Sequence, residues 1–298
     1  MQIVVQRSSM LHGEVQVPGA KNSVLKLMAA TLLAEGEFRL TNVPDIADVT
    51  TMCELLEALG MSTQRINAHE LLLVNTGNIT PIAPFELVDR IRASINLLGP
   101  LLGKYGHVDI AMPGGDDFGS RPIDLHVSGL EAMGAIFDLT RDGVKATATH
   151  LHGAQITLKF PSVGATENIL MAAVLADGVT VIDNAAREPE IGDLCNMLNN
   201  MGANIAGVGT VKLTITGVSP LTLHAVTHEV INDRVQAATY IAAVAVTGGD
   251  VFVRGARAEH MEMLLNRYAE MGVSITPQAD GLRVVTSDRL RSIDFATL

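Results

Sequence analysis

A helix-like ending that returns four times constrains this chain more than any other feature. Leu56-Glu57-Ala58-Leu59-Gly60-Met61, Leu130-Glu131-Ala132-Met133-Gly134-Ala135, Leu198-Asn199-Asn200-Met201-Gly202-Ala203 and Tyr268-Ala269-Glu270-Met271-Gly272-Val273 share one pattern. Their glycines stand 74, 68 and 70 residues apart, and a second series, Gly36, Gly106, Gly178 and Gly248, is spaced by 70, 72 and 70. Two independent series with one period near 70 mean a single supersecondary unit used repeatedly. In the first unit an apolar helix is expected from Val24 to Ala34, closed by a glycine that can turn left-handed. A strand-like run follows at 37–42, then a second helix from Val49 to Leu59 and more strand, so each unit reads βαβαββ. The first and third copies agree best: Leu33-Ala34-Glu35-Gly36 matches Leu175-Ala176-Asp177-Gly178, and Asn42 matches Asn184 at an offset of 142. Cys53 and Cys195 share that offset, which reads as two small buried side chains on equivalent helices.

Runs such as Leu27-Met28-Ala29-Ala30-Thr31-Leu32-Leu33 and Ile241-Ala242-Ala243-Val244-Ala245-Val246 have almost no polar face, so burial nearly all round is expected. This places helices at the centre of a ring of small sheets. The stretch from Ser219 to His228, with Pro220, interrupts the pattern between the third and fourth units and is expected to mark a domain boundary.

The charge balance excludes some partners. With 21 Lys and Arg against 32 Asp and Glu the chain carries −11, which repels a phosphodiester backbone, and aromatic residues at 3% without tryptophan leave few platforms for base stacking. No nucleic-acid partner is expected. No run reaches the ~18 apolar residues of a membrane span, so no membrane partner is expected either. The start of the chain does not read as a secretory leader. Two cysteines without a CxxC or Cys/His cluster fit a reducing cytoplasm. No GxxxxGK[ST], GxGxxG after a strand, GxSxG or HExxH occurs, and His150-Leu151-His152 lacks a third ligand, so no cofactor and no metal are expected.

Three stretches break the apolar repeat with glycine and charge. In Gly19-Ala20-Lys21-Asn22-Ser23 a turn, a lysine and a helix start together offer an anion site. Residues 112–126 hold three glycines, two prolines, Asp116, Asp117 and Arg121, the composition of a functional loop. An aspartate covered there over an anionic ligand would have its pKa raised and could act as a general acid. At Arg92-Ala93-Ser94 an arginine opens a helix, against the macrodipole unless it faces an anion. Lys21, Arg92 and Arg121 fall at corresponding places in successive units or on the loop nearby, the makings of a cationic pocket for a phosphorylated substrate.

Gly19-Ala20-Lys21-Asn22, Arg92-Ala93-Ser94, Pro113-Gly114-Gly115 through Arg121-Pro122-Ile123-Asp124-Leu125-His126, Ser162-Val163-Gly164-Ala165-Thr166-Glu167-Asn168 and Asn184 to Glu190 resemble, in order and spacing, the UDP-N-acetylglucosamine 1-carboxyvinyltransferase family of peptidoglycan synthesis. The resemblance runs the length of the chain. It implies an inside-out α/β barrel of ~70-residue βαβαββ repeats, four of six present, in an enolpyruvyl-transferase-like fold. It also implies transfer of the enolpyruvyl group of phosphoenolpyruvate to the 3′-hydroxyl of UDP-N-acetylglucosamine through a tetrahedral intermediate. Carried over by position, Lys21 and Asn22 contact phosphoenolpyruvate and the sugar, Arg92 and Arg121 hold phosphates, Arg121, Pro122, Ile123, Asp124 and Leu125 cradle the uridine end, and Ser162 and Val163 assist the nucleotide. Asp116 stands where the family's general acid sits, most often a cysteine. Ala47, Asn96 and Phe160 replace a lysine, a tryptophan and a lysine of the family, so those contacts do not carry over.

The family's Pro-Gly-Phe-Pro-Thr-Asp motif, with its aspartate base, has no counterpart here. The chain is therefore expected to be truncated at its C-terminus, with 21–230 a complete three-repeat domain carrying the catalytic loop and 1–20 plus 231–298 a partial second domain. Two other readings stand beside the transferase. One is a non-catalytic nucleotide-sugar-binding fragment of the family; the other is a shikimate-3-phosphate enolpyruvyl transferase or an RNA-end-processing relative.

Overall fold

The computed structural model describes residues 3–4, 6, 9–112, 114, 122–140, 143–287 and 289–294. It divides into two compact units, one formed by Lys21–Ile231 and the other by Met1–Ala20 with Asn232–Leu298.

In the larger unit the helices are α1 (Lys21–Ala30), α2 (Ala47–Leu59), α3 (Phe85–Val88), α4 (Leu98–Tyr105), α5 (Asp124–Ala132), α6 (Val163–Ala173) and α7 (Pro189–Asn200). The helix expected to run to Ala34 is α1 followed by a single 3-10 turn, Thr31–Leu33. Residues Arg92–Leu97, expected to open a helix, also form a 3-10 turn that feeds α4. All eight glycines of the two periodic series have positive φ, from +72° to +125°. At Gly60 the reason is visible: its amide bonds to the Glu57 carbonyl, Met61 N–H bonds to the Leu56 carbonyl, and a Cβ would lie 2.4 Å from the Asn78 carbonyl oxygen.

Three sheets share one wiring. The strands Gly36–Thr41, His107–Ala111 and Val179–Asp183 pair antiparallel with Glu70–Asn75, Gly143–Thr147 and Lys212–Thr216. These pair in turn with Ser62–Asn67, Ile136–Leu139 and Asn204–Ala206. The segment linking one sheet to the next adds a parallel partner: Ile82 bridges to Asp109, and Gln155–Thr157 runs beside Val179–Asp183. The segment after the third sheet, Thr227–Glu229, pairs parallel with Gly36–Thr41 of the first. Asn42 and Asn184, with φ of 54° and 56°, hold these links in the same way, each donating from Nδ2 at 2.8 Å to a carbonyl of the linking segment, Val230 and Leu158.

Burial follows the wiring. Every residue of α6 from Ala165 to Ala173 is buried, as is most of α1 and of 94–102, whereas strands such as Glu70–Asn75 and Lys212–Thr216 alternate in burial. Close helix packing depends on small residues. A Cβ on Gly99 would stand 2.3 Å from the Asn168 carbonyl oxygen, and one on Gly103 3.1 Å from Ala172 Cα, so α4 lies directly against α6. Cys53 on α2 is half-buried and Cys195 on α7 is buried; burial pushes both thiols up, Cys195 to about 12, as inert packing residues require.

The smaller unit contains α8 (Arg234–Thr247), α9 (Glu262–Met271) and one sheet wired like the others. Gly249–Arg254 pairs antiparallel with Gly281–Thr286, which pairs with Ser274–Gln278, and Leu11–Gln16 runs parallel beside Gly249–Arg254. Asp233 caps α8 through Val235 and Gln236 N–H. Val17, Ile241, Val253 and Val284 centre its own core.

Candidate active site

The residues that the sequence singled out gather at helix starts within the larger unit. Lys21 and Asn22 open α1 with exposed side chains, and Lys21 pairs with Asp48 at 2.9 Å. Arg92, half-buried, opens the 3-10 turn, and Ser94 behind it is buried and donates to the Val88 and Ile91 carbonyls, a structural role. Ser162 caps α6, its hydroxyl accepting from Ala165 N–H at 3.3 Å, and Val163 is the first helical residue. Pro122 is exposed, Ile123 is buried at the cap of α5, and Asp124 and Leu125 begin that helix, where Asp124 suits the positive end of the dipole. Asp116 and Arg121 lie outside the described residues, as does Asp117.

Side chains that the sequence reading did not single out join these helix starts around the first turns of α6. Asn168 is wholly buried. Its Oδ1 accepts from Gly99 N–H at 2.7 Å, and its Nδ2 donates to the Ile95 carbonyl at 3.0 Å and lies 2.8 Å from His126 Nδ1. That ring nitrogen therefore accepts, which makes the imidazole neutral. Burial, helped by the Arg92 charge and opposed by Asp124, depresses its pKa to about 4. On the other side of α6, Glu167 meets Lys26 of α1 at 3.6 Å, and Lys26 Nζ donates to the Asn22 carbonyl at 2.6 Å. Ser23 Oγ donates to Asp193 Oδ2 of α7 at 2.5 Å, while His228 Nε2 lies 2.8 Å from Asp193 Oδ1. Arg92, the start of α5, α6 and the start of α1 thus form one connected neighbourhood. Glu167 and Asn168 stand in the Ser162–Asn168 motif that carries the family resemblance, but no role was given to them there.

An open cavity of about 220 Å³ lies beside the starts of α6 and α7, lined by Pro161, Asn184, Ala185, Arg187, Glu188 and Val211. Among the described residues no group of three or more His, Cys, Asp or Glu is arranged to hold a metal, and no helix is long and apolar enough to cross a membrane.

The chain is thus an alternating α/β protein of recurrent small sheets with cationic and amide side chains at helix starts. The family model for EPSP synthase (3-phosphoshikimate 1-carboxyvinyltransferase) matches residues 5–298. A UDP-N-acetylglucosamine 1-carboxyvinyltransferase from Nocardia farcinica is 50% identical over 300 residues, covering 99% of this chain and 70% of the relative. One from Mycobacterium leprae is 48% identical over 295 residues with the same coverage. Among solved structures, the enolpyruvyl transferase NikO from Streptomyces tendae superposes with a TM-score of 0.85 at 24% identity, covering 97% of this chain and 69% of that one. EPSP synthase from Acinetobacter baumannii gives 0.72 at 20%, covering 94% and 65%. The chain belongs to the EPSP synthase family, in its UDP-N-acetylglucosamine 1-carboxyvinyltransferase branch.

Proposed function

We infer that this chain transfers the enolpyruvyl group of phosphoenolpyruvate to the 3′-hydroxyl of UDP-N-acetylglucosamine, the first committed step of peptidoglycan synthesis, in the cytoplasm. The observation that carries this reading is 50% identity across 99% of the chain to a protein of that name. In the addition step the terminal carbon of phosphoenolpyruvate takes a proton while the sugar hydroxyl gives up its own proton and bonds through its oxygen to the second carbon. Elimination then expels phosphate and returns a proton from the terminal carbon. Asp116 is the acid for the first proton. Lys21, Asn22 and Arg92, with Arg121, hold the anionic substrates, and Pro122, Ile123, Asp124, Leu125, Ser162 and Val163 receive the nucleotide. The convergence of α1, the 92–97 turn, α5 and α6 on one neighbourhood supports these roles. Lys21 and Arg92 supply charge at helix starts, where N–H groups also point outward.

The same reading takes the sheets as repeats of an inside-out barrel of ~70-residue units, four of them in this chain, with 21–230 as one domain and 1–20 plus 231–298 in a second. Return of the third linking segment to the first sheet and the burial of α1 and α6 support it.

Acceptor choice tests the function. With phosphoenolpyruvate supplied, phosphate release is expected with UDP-N-acetylglucosamine and not with shikimate 3-phosphate. Release with shikimate 3-phosphate alone would move the chain to the other branch, and binding of the sugar nucleotide without release would favour a non-catalytic role.

A further inference from the structure

The first turn of α1 carries Lys21 and Asn22 outward while buried groups grip it from behind. Ser23 is tied to Asp193, which is itself well supplied, accepting also from Ile231 N–H at 3.3 Å and meeting His228. Glu167 is different. Its side chain is 1% exposed, neither carboxylate oxygen has a hydrogen-bond donor among the described residues, and Lys26 stands 3.6 Å from one of them. A buried carboxylate held by charge alone opposes stability, because desolvation outweighs attraction at imperfect geometry. Burial accordingly pushes its pKa up to about 7, with Lys26 opposing and Glu190 and Glu188 adding to the rise.

What the carboxylate does accomplish lies in its partner. Lys26 Nζ is anchored between Glu167 and the Asn22 carbonyl, the same oxygen that accepts Lys26 N–H in an α-helix. We propose that Glu167 is a positioning residue for the transfer reaction: by fixing the Lys26 ammonium on the Asn22 carbonyl it locks the first turn of α1 and aims Lys21 and Asn22 at the phosphate-bearing substrate. This rests on the function inferred above for the same site. Glu167 is buried and Lys26 nearly so, and the effect proposed for both is on binding geometry.

The test compares the protein with Glu167→Gln, Lys26→Met and the double variant. Amide exchange at Leu25 and Lys26, whose protons close the first turn, is read without substrate; KM for phosphoenolpyruvate and kcat are read at saturating UDP-N-acetylglucosamine. Glu167→Gln is expected to speed exchange at those amides and raise KM about tenfold with kcat little changed, the scale of one lost charge-assisted contact. The double variant should be no worse than Lys26→Met, because both remove one interaction. If Glu167→Gln does not fold, Lys26→Met carries the same comparison. Unchanged exchange in the variants overturns the proposal whatever the kinetics, and so does an unchanged KM in an active enzyme. If the unmodified protein releases no phosphate, the functional reading fails, while faster exchange still supports the lock and unchanged exchange still refutes it.

Discussion

His126 shows how a residue inside a motif is set by its surroundings. Its ring accepts from Asn168, lies against Gly164, where a Cβ would stand 3.0 Å from the ring, and feels Arg92. Burial first, and then that arginine, depress its pKa from 6.5 to about 4. A group depressed on folding stabilises above its unfolded pKa and loses that contribution as pH falls through the folded one. The window here runs from pH 6.5 down to about 4, and the shift corresponds to about 3 kcal/mol. The imidazole resonances of His126 should therefore titrate with a midpoint near pH 4, whereas a midpoint near 6.5 would mean the ring is not buried as described. Single side chains of this kind were hardly legible in the sequence. Lys21, Asn22 and Arg92 stood out because charge interrupts an apolar repeat, but the partners of Glu167 and His126 come from other repeats, and no local spacing encodes them.

At the scale of elements the sequence was far more informative. A glycine every ~70 residues announced the turns that follow the helices, and all eight adopt a positive φ. The match of Asn42 with Asn184 is now physical: both take the left-handed conformation and bond the same kind of linking carbonyl. What periodicity could not reveal is the tightening of 92–97 into a 3-10 turn, because an apolar run that is buried all round looks alike in either helix. Packing of α4 on α6 gives a sharp prediction. Gly99→Ala pushes a methyl against backbone that cannot move and should lower stability by about 2–3 kcal/mol, while Gly103→Ala, facing a 3.1 Å contact, should cost about 1 kcal/mol. Denaturant unfolding of the two variants checks this; equal losses would show that the two helices do not touch as described.

For the molecule as a whole, the recurrent wiring has each linking segment join the next sheet, and the third segment returns to the first. Lys21, Arg92 and Ser162 each stand at the start of a helix or 3-10 turn of the larger unit, and the proposed function gives these starts to the substrates. The proposed function gives the acid's part to Asp116; a free aspartate with pKa ~3.9 is ionised near neutral pH, so that part requires a setting that keeps it protonated. The most direct measurement is the reaction run in D2O with phosphoenolpyruvate and UDP-N-acetylglucosamine, with product mass and phosphate followed together, for the unmodified protein and for Asp116→Asn. Addition and elimination predict one phosphate per carboxyvinylated sugar nucleotide, deuterium at the terminal vinyl carbon, and loss of both signals in Asp116→Asn with sugar-nucleotide binding retained. A product without deuterium, or full turnover by Asp116→Asn, would contradict the account.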